Sequence, residues 1–148
     1  MRAVLTRVKN ARVEIDNQIV GKIENGYLVL LGIHEDDEEA DAAKIADKIC
    51  GLRIFEDEQG KMNLNAFDAS SSNILIISQF TLYADCKSRR PGFTKAARPE
   101  KAIPLYESVI QKCLSAGFNV QTGQFGADMQ VFSQNDGPVT IILDTEVI

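Results

Sequence analysis

Two short stretches, residues 27–33 and 74–77, carry no charged or hydrogen-bonding side chain apart from the hydroxyl of Tyr27. Each is far shorter than the roughly 20 apolar residues a membrane helix needs, and neither shows the polar face of an amphipathic helix. A run of this kind reads as a strand buried on both faces. Two such strands in a chain of 148 residues imply a sheet covered on both sides, and that requirement limits the fold more than any other feature.

The rest of the chain supplies the covers. Residues 2–9 alternate as a strand, with Ala3, Leu5 and Arg7 on one face and Val4, Thr6 and Val8 on the other. The extended chain continues through residues 12–15, and Asp16-Asn17 and Glu24-Asn25-Gly26 read as turns. Ala42, Ile45, Ala46, Ile49 and Leu52 recur at helical spacing behind the acidic residues 35–39, and Gly51 marks the helix end. Pro99 opens a second helix whose buried stripe is Tyr106, Val109, Ile110, Cys113 and Leu114 and which ends at Gly117. Short strands are expected at residues 53–55, 63–65, 118–121, 124–130, 131–133 and 139–143, with a turn at Gly137-Pro138. Helices that come singly between more numerous strands give a layered α/β fold in one domain, residues 1–148.

Hydrophobic residues make up 45% and charged residues 25%, the balance of a globular protein, and no run reaches membrane length. No signal peptide is visible ahead of the first strand pattern, so a cytoplasmic location is the expectation. Cys50, Cys86 and Cys113 are far apart and form no C-x-x-C pair, which suggests neither a zinc site nor a disulfide framework. No other metal-ligand spacing stands out, and no cofactor is expected. A net charge of −5 disfavours indiscriminate nucleic-acid binding by the whole surface. Residues 87–101 run the other way, with Lys87, Arg89, Arg90, Lys95, Arg98 and Lys101 against Glu100. That segment is either a phosphate-attracting patch or a solvated loop.

Polar residues follow the second apolar run directly: Ser78, Gln79, Phe80, Thr81, Leu82. A rigid strand thus delivers two hydroxyls, a carboxamide and an aromatic ring to one place. The sole histidine, His34, stands at the end of the first apolar run and reads as a strand-end residue. With no G-x-S-x-G elbow and no second histidine, a serine-hydrolase triad is not supported. Thr81 is a conceivable nucleophile, but no base accompanies it in sequence. Backbone N–H groups of Phe80 and Thr81, exposed where ladder pairing stops, are the alternative: donors of this type stabilise an oxyanion by about 2.7–4 kcal/mol each.

Near the C-terminus stand Asn135, Asp136, Gly137, Pro138, Val139 and Thr140. The S-Q-F-T-L and N-x-G-P-V-T stretches together resemble the paired signatures of the D-aminoacyl-tRNA deacylases, formerly D-tyrosyl-tRNA deacylases. Residues 27–32, 53–55, 60–65, 121–123 and 127–131 are similar to the family as well, and residues 83–87 are not diagnostic. The resemblance implies a three-layer α/β/β domain with two main helices, assembled as a homodimer. It implies hydrolysis of the ester between a D-amino acid and the 3′-terminal adenosine of tRNA, with glycine cleared from alanine tRNA too. Ser78, Gln79, Phe80 and Thr81 would form the catalytic segment. Gly137 and Pro138, joined by a cis bond and supplied across subunits, would bind the amino acid and reject L side chains. Gln79, Phe125 and Met129 would line the adenine pocket, and Lys87, Arg89, Arg90 and Arg98 would meet acceptor-stem phosphates. A non-catalytic RNA-binding module and an unselective esterase are the competing readings.

Overall fold

In the computed structural model, which describes residues 1–148, the two apolar runs lie side by side as parallel strands. In chain order the elements are β1 (Arg2–Ile15), β2 (Gln18–Ile23), β3 (Gly26–Gly32), α1 (Glu39–Gly51), β4 (Phe55–Glu56), β5 (Met62–Leu64) and β6 (Asn73–Ser78). A 3-10 turn (Phe80–Tyr83), α2 (Pro99–Ser115), β7 (Asn119–Thr122) and β8 (Gln130–Asp144) follow. β3, β6 and β7 are parallel neighbours, as strands joined through helical crossovers must be. β1 is antiparallel to everything it touches: β3 along residues 2–8, β2 along 11–15, and β8 on its other side for almost its whole length. β4 and β5 form a separate two-stranded ribbon.

Alternation along the central strands divides the interior into two cores. Tyr27, Val29, Leu31, Ile74 and Ile76 face the helices and pack with Ala42, Ile45 and Ile49 of α1 and Tyr106, Val109 and Cys113 of α2. Leu28, Leu75 and Ile77 point the opposite way, into a smaller core closed by Val8, Ala11, Val13 and Ile23 of the β1–β2 hairpin. The hairpin reaches that face because long β1 curls. Its β2 strand lies directly on the parallel strands, and a methyl group on Gly21 would come within 2.6 Å of the Thr122 carbonyl oxygen. The result is a mixed α/β domain with two helices and a nearly closed sheet, and both apolar runs are covered on each face as their composition requires.

Local signals in the helices hold except at Leu114, which was expected in the buried stripe of α2 but is exposed near the helix end. The Glu38 N–H donates to Asp41 Oδ2 at 2.9 Å at the start of α1, and that bond holds the Asp41 carboxyl below its ordinary range against a small opposing effect of burial. Gly51 is the last residue of α1, and Pro99 is the first of α2. Pro104 lies within α2 without ending it.

Three expectations shift. The 53–55 strand is displaced to Phe55–Glu56. Residues 124–129 are a loop, in which Gly126 adopts φ +77°, rather than a strand. Gly137-Pro138 is not a turn between strands but lies inside β8. There Thr6 pairs with Thr140 and Val8 with Asn135, so residues 136–139 stand opposite Arg7 alone. The surplus residues arch out of the ladder, and β8 resumes in the same direction beyond them.

Candidate functional site

A pocket of about 310 Å³ opens where β6 ends. Ser78, Gln79 and Phe80 form one side and Phe125 and Met129 the other, with Ala97 and Ala102 at the base of α2 between them. The two sides are separated by more than 40 residues in sequence; the β6–α2–β7 crossover brings them together.

The polar segment is held from beneath. The Gln79 N–H extends the parallel ladder by donating to the Leu31 carbonyl at 2.8 Å. The chain then turns at once, over Gly32: a Cβ there would lie 2.9 Å from the Gln79 carbonyl oxygen and 3.0 Å from Leu82 Cβ. Arg2 Nη1 donates to the Leu82 carbonyl at 2.8 Å, while its Nε and Nη2 grip Asp144. Because the first hydrogen bond of the 3-10 turn runs from the Leu82 N–H to the Gln79 carbonyl, the amides of Phe80 and Thr81 have no acceptor within the turn. The Phe80 ring stands 54% exposed at the pocket mouth and packs edge-on to Phe93, with centroids 5.1 Å apart.

Thr81 is joined to the site by its hydroxyl, which accepts from Gln79 Nε2 at 2.6 Å. A carboxamide N–H is a donor and takes no proton, so this contact does not activate Thr81 as a nucleophile. The one titratable side chain lining the pocket is Asp128, a residue not singled out from the sequence. His34 lies elsewhere: its ring packs edge-on against Tyr83 at 5.0 Å and its Nδ1 accepts from the Asp36 N–H at 3.2 Å.

Gly137 and Pro138 do not line this pocket. They sit on the exposed arch of β8, their peptide bond is cis, and Gly137 has φ +124°. A side chain at 137 would meet Val139 within 2.9 Å as well, so conformation and space both demand glycine. The arch is tied down by Arg7. This buried guanidinium sends Nε to the Asp136 carbonyl and to Asp136 Oδ2, each at 3.2 Å, and Nη1 to the Ile54 carbonyl at 2.6 Å. In the sequence Arg7 reads only as one position on a strand face. The signal was its register: it continues the inward face of Ala3 and Leu5, and a charge there needs partners.

Lys87, Arg89 and Arg90 occupy an exposed loop closed by the Asp85–Gly92 bridge, and Arg98 is the exposed N-cap residue of α2. Lys87 lies 3.9 Å from Asp85 and has that carboxylate as its partner, whereas Arg89, Arg90 and Arg98 make no ion pair. Cys50 and Cys113, distant in sequence, meet between α1 and α2 with Sγ atoms 3.8 Å apart, both as free thiols. The contact with Cys50 and burial together push the Cys113 thiol well up. No helix is long and apolar enough to cross a membrane.

Comparison with known proteins places this geometry among relatives. A family model described as D-Tyr-tRNA(Tyr) deacylase matches residues 4–144. The D-aminoacyl-tRNA deacylase of Thermosipho africanus (strain TCF52B) is 53% identical, over 100% of this chain and 99% of its own. That of Clostridium kluyveri is 54% identical over the same shares. Among solved structures, one named c-Myc DNA Unwinding Element Binding Protein has a TM-score of 0.92 at 38% identity, covering 98% of this chain and 99% of its own. A probable eukaryotic D-amino acid tRNA deacylase has a TM-score of 0.81 at 16% identity, covering 96% and 97%, which is a likeness of fold.

Proposed function

This chain belongs to the D-Tyr-tRNA(Tyr) deacylase family, and on that premise we propose that it is a hydrolase that cleaves the ester of D-aminoacyl-tRNA, returning free D-amino acid and reusable tRNA. The observation that carries the reading is the pocket at the end of β6, where Ser78, Gln79 and Phe80 face Phe125 and Met129 in a chain about half identical to proteins of that name.

The terminal adenosine enters this largely apolar pocket, with Gln79, Phe125 and Met129 around the base. The ester carbonyl oxygen points at the amides of Phe80 and Thr81. Water adds to the carbonyl carbon, negative charge gathers on the oxygen, and the two N–H groups stabilise it. The bond to the ribose 3′ oxygen then breaks, and that oxygen leaves with a proton. The neighbouring 2′-hydroxyl orients the water and relays the proton, in a pocket whose one ionisable side chain is Asp128. An aminoacyl ester is already reactive, so positioning and oxyanion stabilisation suffice.

Chirality is read by the β8 arch. The carbonyls of Gly137 and Pro138 of the partner subunit hold the α-ammonium, and with ammonium and ester both fixed an L side chain is driven into the arch while a D side chain points out. Glycine has no side chain to clash, so glycyl esters on alanine tRNA are cleaved too. Two features support a homodimer in this role. β8 pairs with β1 alone, which leaves its other edge open, and it exposes Val131, Phe132 and Ile142. Lys87, Arg89, Arg90 and Arg98 draw in the acceptor stem. The helices on one core and the curled hairpin on the other support a three-layer reading of the domain.

Incubation with D- and L-tyrosyl-tRNA tests the proposal. Release of tyrosine from the D ester alone is the expected result. Cleavage of neither would favour a non-catalytic nucleic-acid-binding module, the kind of role for which the 38%-identical solved structure is named. Equal cleavage of both would favour an unselective esterase.

A further inference from the structure

Beside the pocket lies a second groove of about 700 Å³, lined by Phe93, Thr94, Ala97, Arg98 and Lys101 on one side and Glu35 on the other. The two cavities are adjacent, with Ala97 in the wall of both. Phe93 is half-buried and meets the ring of Phe80 edge-on, so two aromatic rings stand side by side across the junction.

The groove is built rigidly from two loops. The Glu35 N–H donates to the Lys95 carbonyl and the Ala97 N–H to the Ile33 carbonyl, each at 2.9 Å, and His34 bridges to Ala96. Lys101 Nζ donates to the Glu35 carbonyl at 2.5 Å. A groove pinned in this way keeps its shape before a ligand arrives, and its ordering cost on binding is small.

Its positive charge is not neutralised by any ion pair, although Lys101 also holds the Glu35 carbonyl. Arg98 and Lys101 are exposed and neither forms an ion pair, and the same holds for Arg89, Arg90 and Lys95 nearby. Against them the groove has one carboxylate, Glu35. An aromatic ring beside exposed cations with no carboxylate partner, next to a pocket for a nucleoside, is the combination that binds single-stranded RNA: the ring stacks a base and the cations meet the phosphates.

From this arrangement we infer that the groove seats the unpaired nucleotide preceding the terminal adenosine of tRNA, its base on Phe93 and its phosphate toward Arg98 and Lys101. The inference rests on the deacylase reading. It assigns Phe93 to holding the RNA tail, not to the chemistry.

Three substrates separate the possibilities: D-tyrosyl-tRNA, a D-tyrosyl CCA trinucleotide, and 3′-O-D-tyrosyl-adenosine, which has no preceding nucleotide. Loss of a base-stacking contact of ordinary strength raises KM about 5- to 150-fold. Phe93→Ala and Phe93→Leu are expected to show that rise for tRNA and trinucleotide, with the adenosine ester changed less than about twofold. Phe93→Tyr, which keeps an aromatic face, is expected to restore wild-type KM. Phe93→Leu retains apolar packing against Phe80 and serves if the alanine variant does not fold. Equal losses on all three substrates would overturn the inference, since Phe93 would then act through Phe80. Unchanged KM for tRNA would overturn it as well. Wild-type protein that cleaves none of the three would instead defeat the deacylase reading itself.

Discussion

At the scale of single residues the site is unusual for a hydrolase in what surrounds its polar segment. Thr81 receives a hydrogen bond from an amide nitrogen, and Asp128 is the one ionisable side chain at the pocket. If main-chain amides and the substrate's own hydroxyl carry the reaction, Thr81→Ala and Asp128→Asn should each retain kcat on D-tyrosyl-tRNA within about tenfold, where loss of a true general base costs about 100- to 10,000-fold. Single-turnover rates would decide the matter, and a loss of that larger size in either variant would assign that side chain to catalysis. Arg7 makes the opposite prediction. Its removal strands the Ile54 carbonyl and frees the arch, so Arg7→Ala should lower stability toward the smaller end of the about 3–5 kcal/mol typical of a broken buried pair, because Asp136 keeps some access to water. Urea unfolding measures this, and D/L selectivity should fall with it.

At the scale of elements, glycines divide by what their neighbours permit. Gly21 carries the β1–β2 hairpin onto β7 with no room for a methyl group, whereas Gly51, at the end of α1, has open space around it. Gly21→Ala should destabilise by about 1–3 kcal/mol through overpacking. Gly51→Ala should stabilise by about 0.4–1 kcal/mol, by restricting the unfolded chain. Thermal unfolding of the two variants should therefore move in opposite directions. The elements also show where periodicity informs and where it does not. The doubly buried strands were legible as unbroken apolar runs, and both helices because one spacing repeats over many residues. Residues 124–129 were not: their apolar members, Phe125 and Met129, serve the pocket, and nothing in a six-residue window distinguishes that from a strand face.

At the scale of the whole molecule, the chain ends close the structure electrostatically. Arg2 of β1 is paired with Asp144 of β8 at 2.7 Å, and the same guanidinium steadies the 3-10 turn of the site through the Leu82 carbonyl. Burial opposes ionisation of Asp144, but the hydrogen bonds from Arg2 and from the Glu146 amide, with the Arg2 charge, hold its carboxyl below the ordinary range. A carboxyl with a depressed folded pKa contributes stability that is present above its unfolded value of about 3.9 and is lost as pH falls through the folded value. Wild-type protein should lose more stability than Asp144→Asn on going from about pH 5 to about pH 3, as seen by urea unfolding at each pH. Parallel curves would show that Asp144 contributes nothing to the acid limb.

What the sequence determined by itself is the set of patterns that are local: two runs that had to be covered on both faces, two helical stripes, a polar segment at a strand end, and a pair of motifs that matched a family. Short-range periodicity encodes these because burial acts on each side chain separately. The family resemblance already grouped Gln79, Phe125 and Met129, but the tertiary structure alone decided that Arg7 ties the arch at Gly137 and that Phe93 stands beside Phe80. Those contacts join residues far apart in the chain. Their geometry follows from how β1 curls and how α2 returns to the sheet, and no window of residues contains that information.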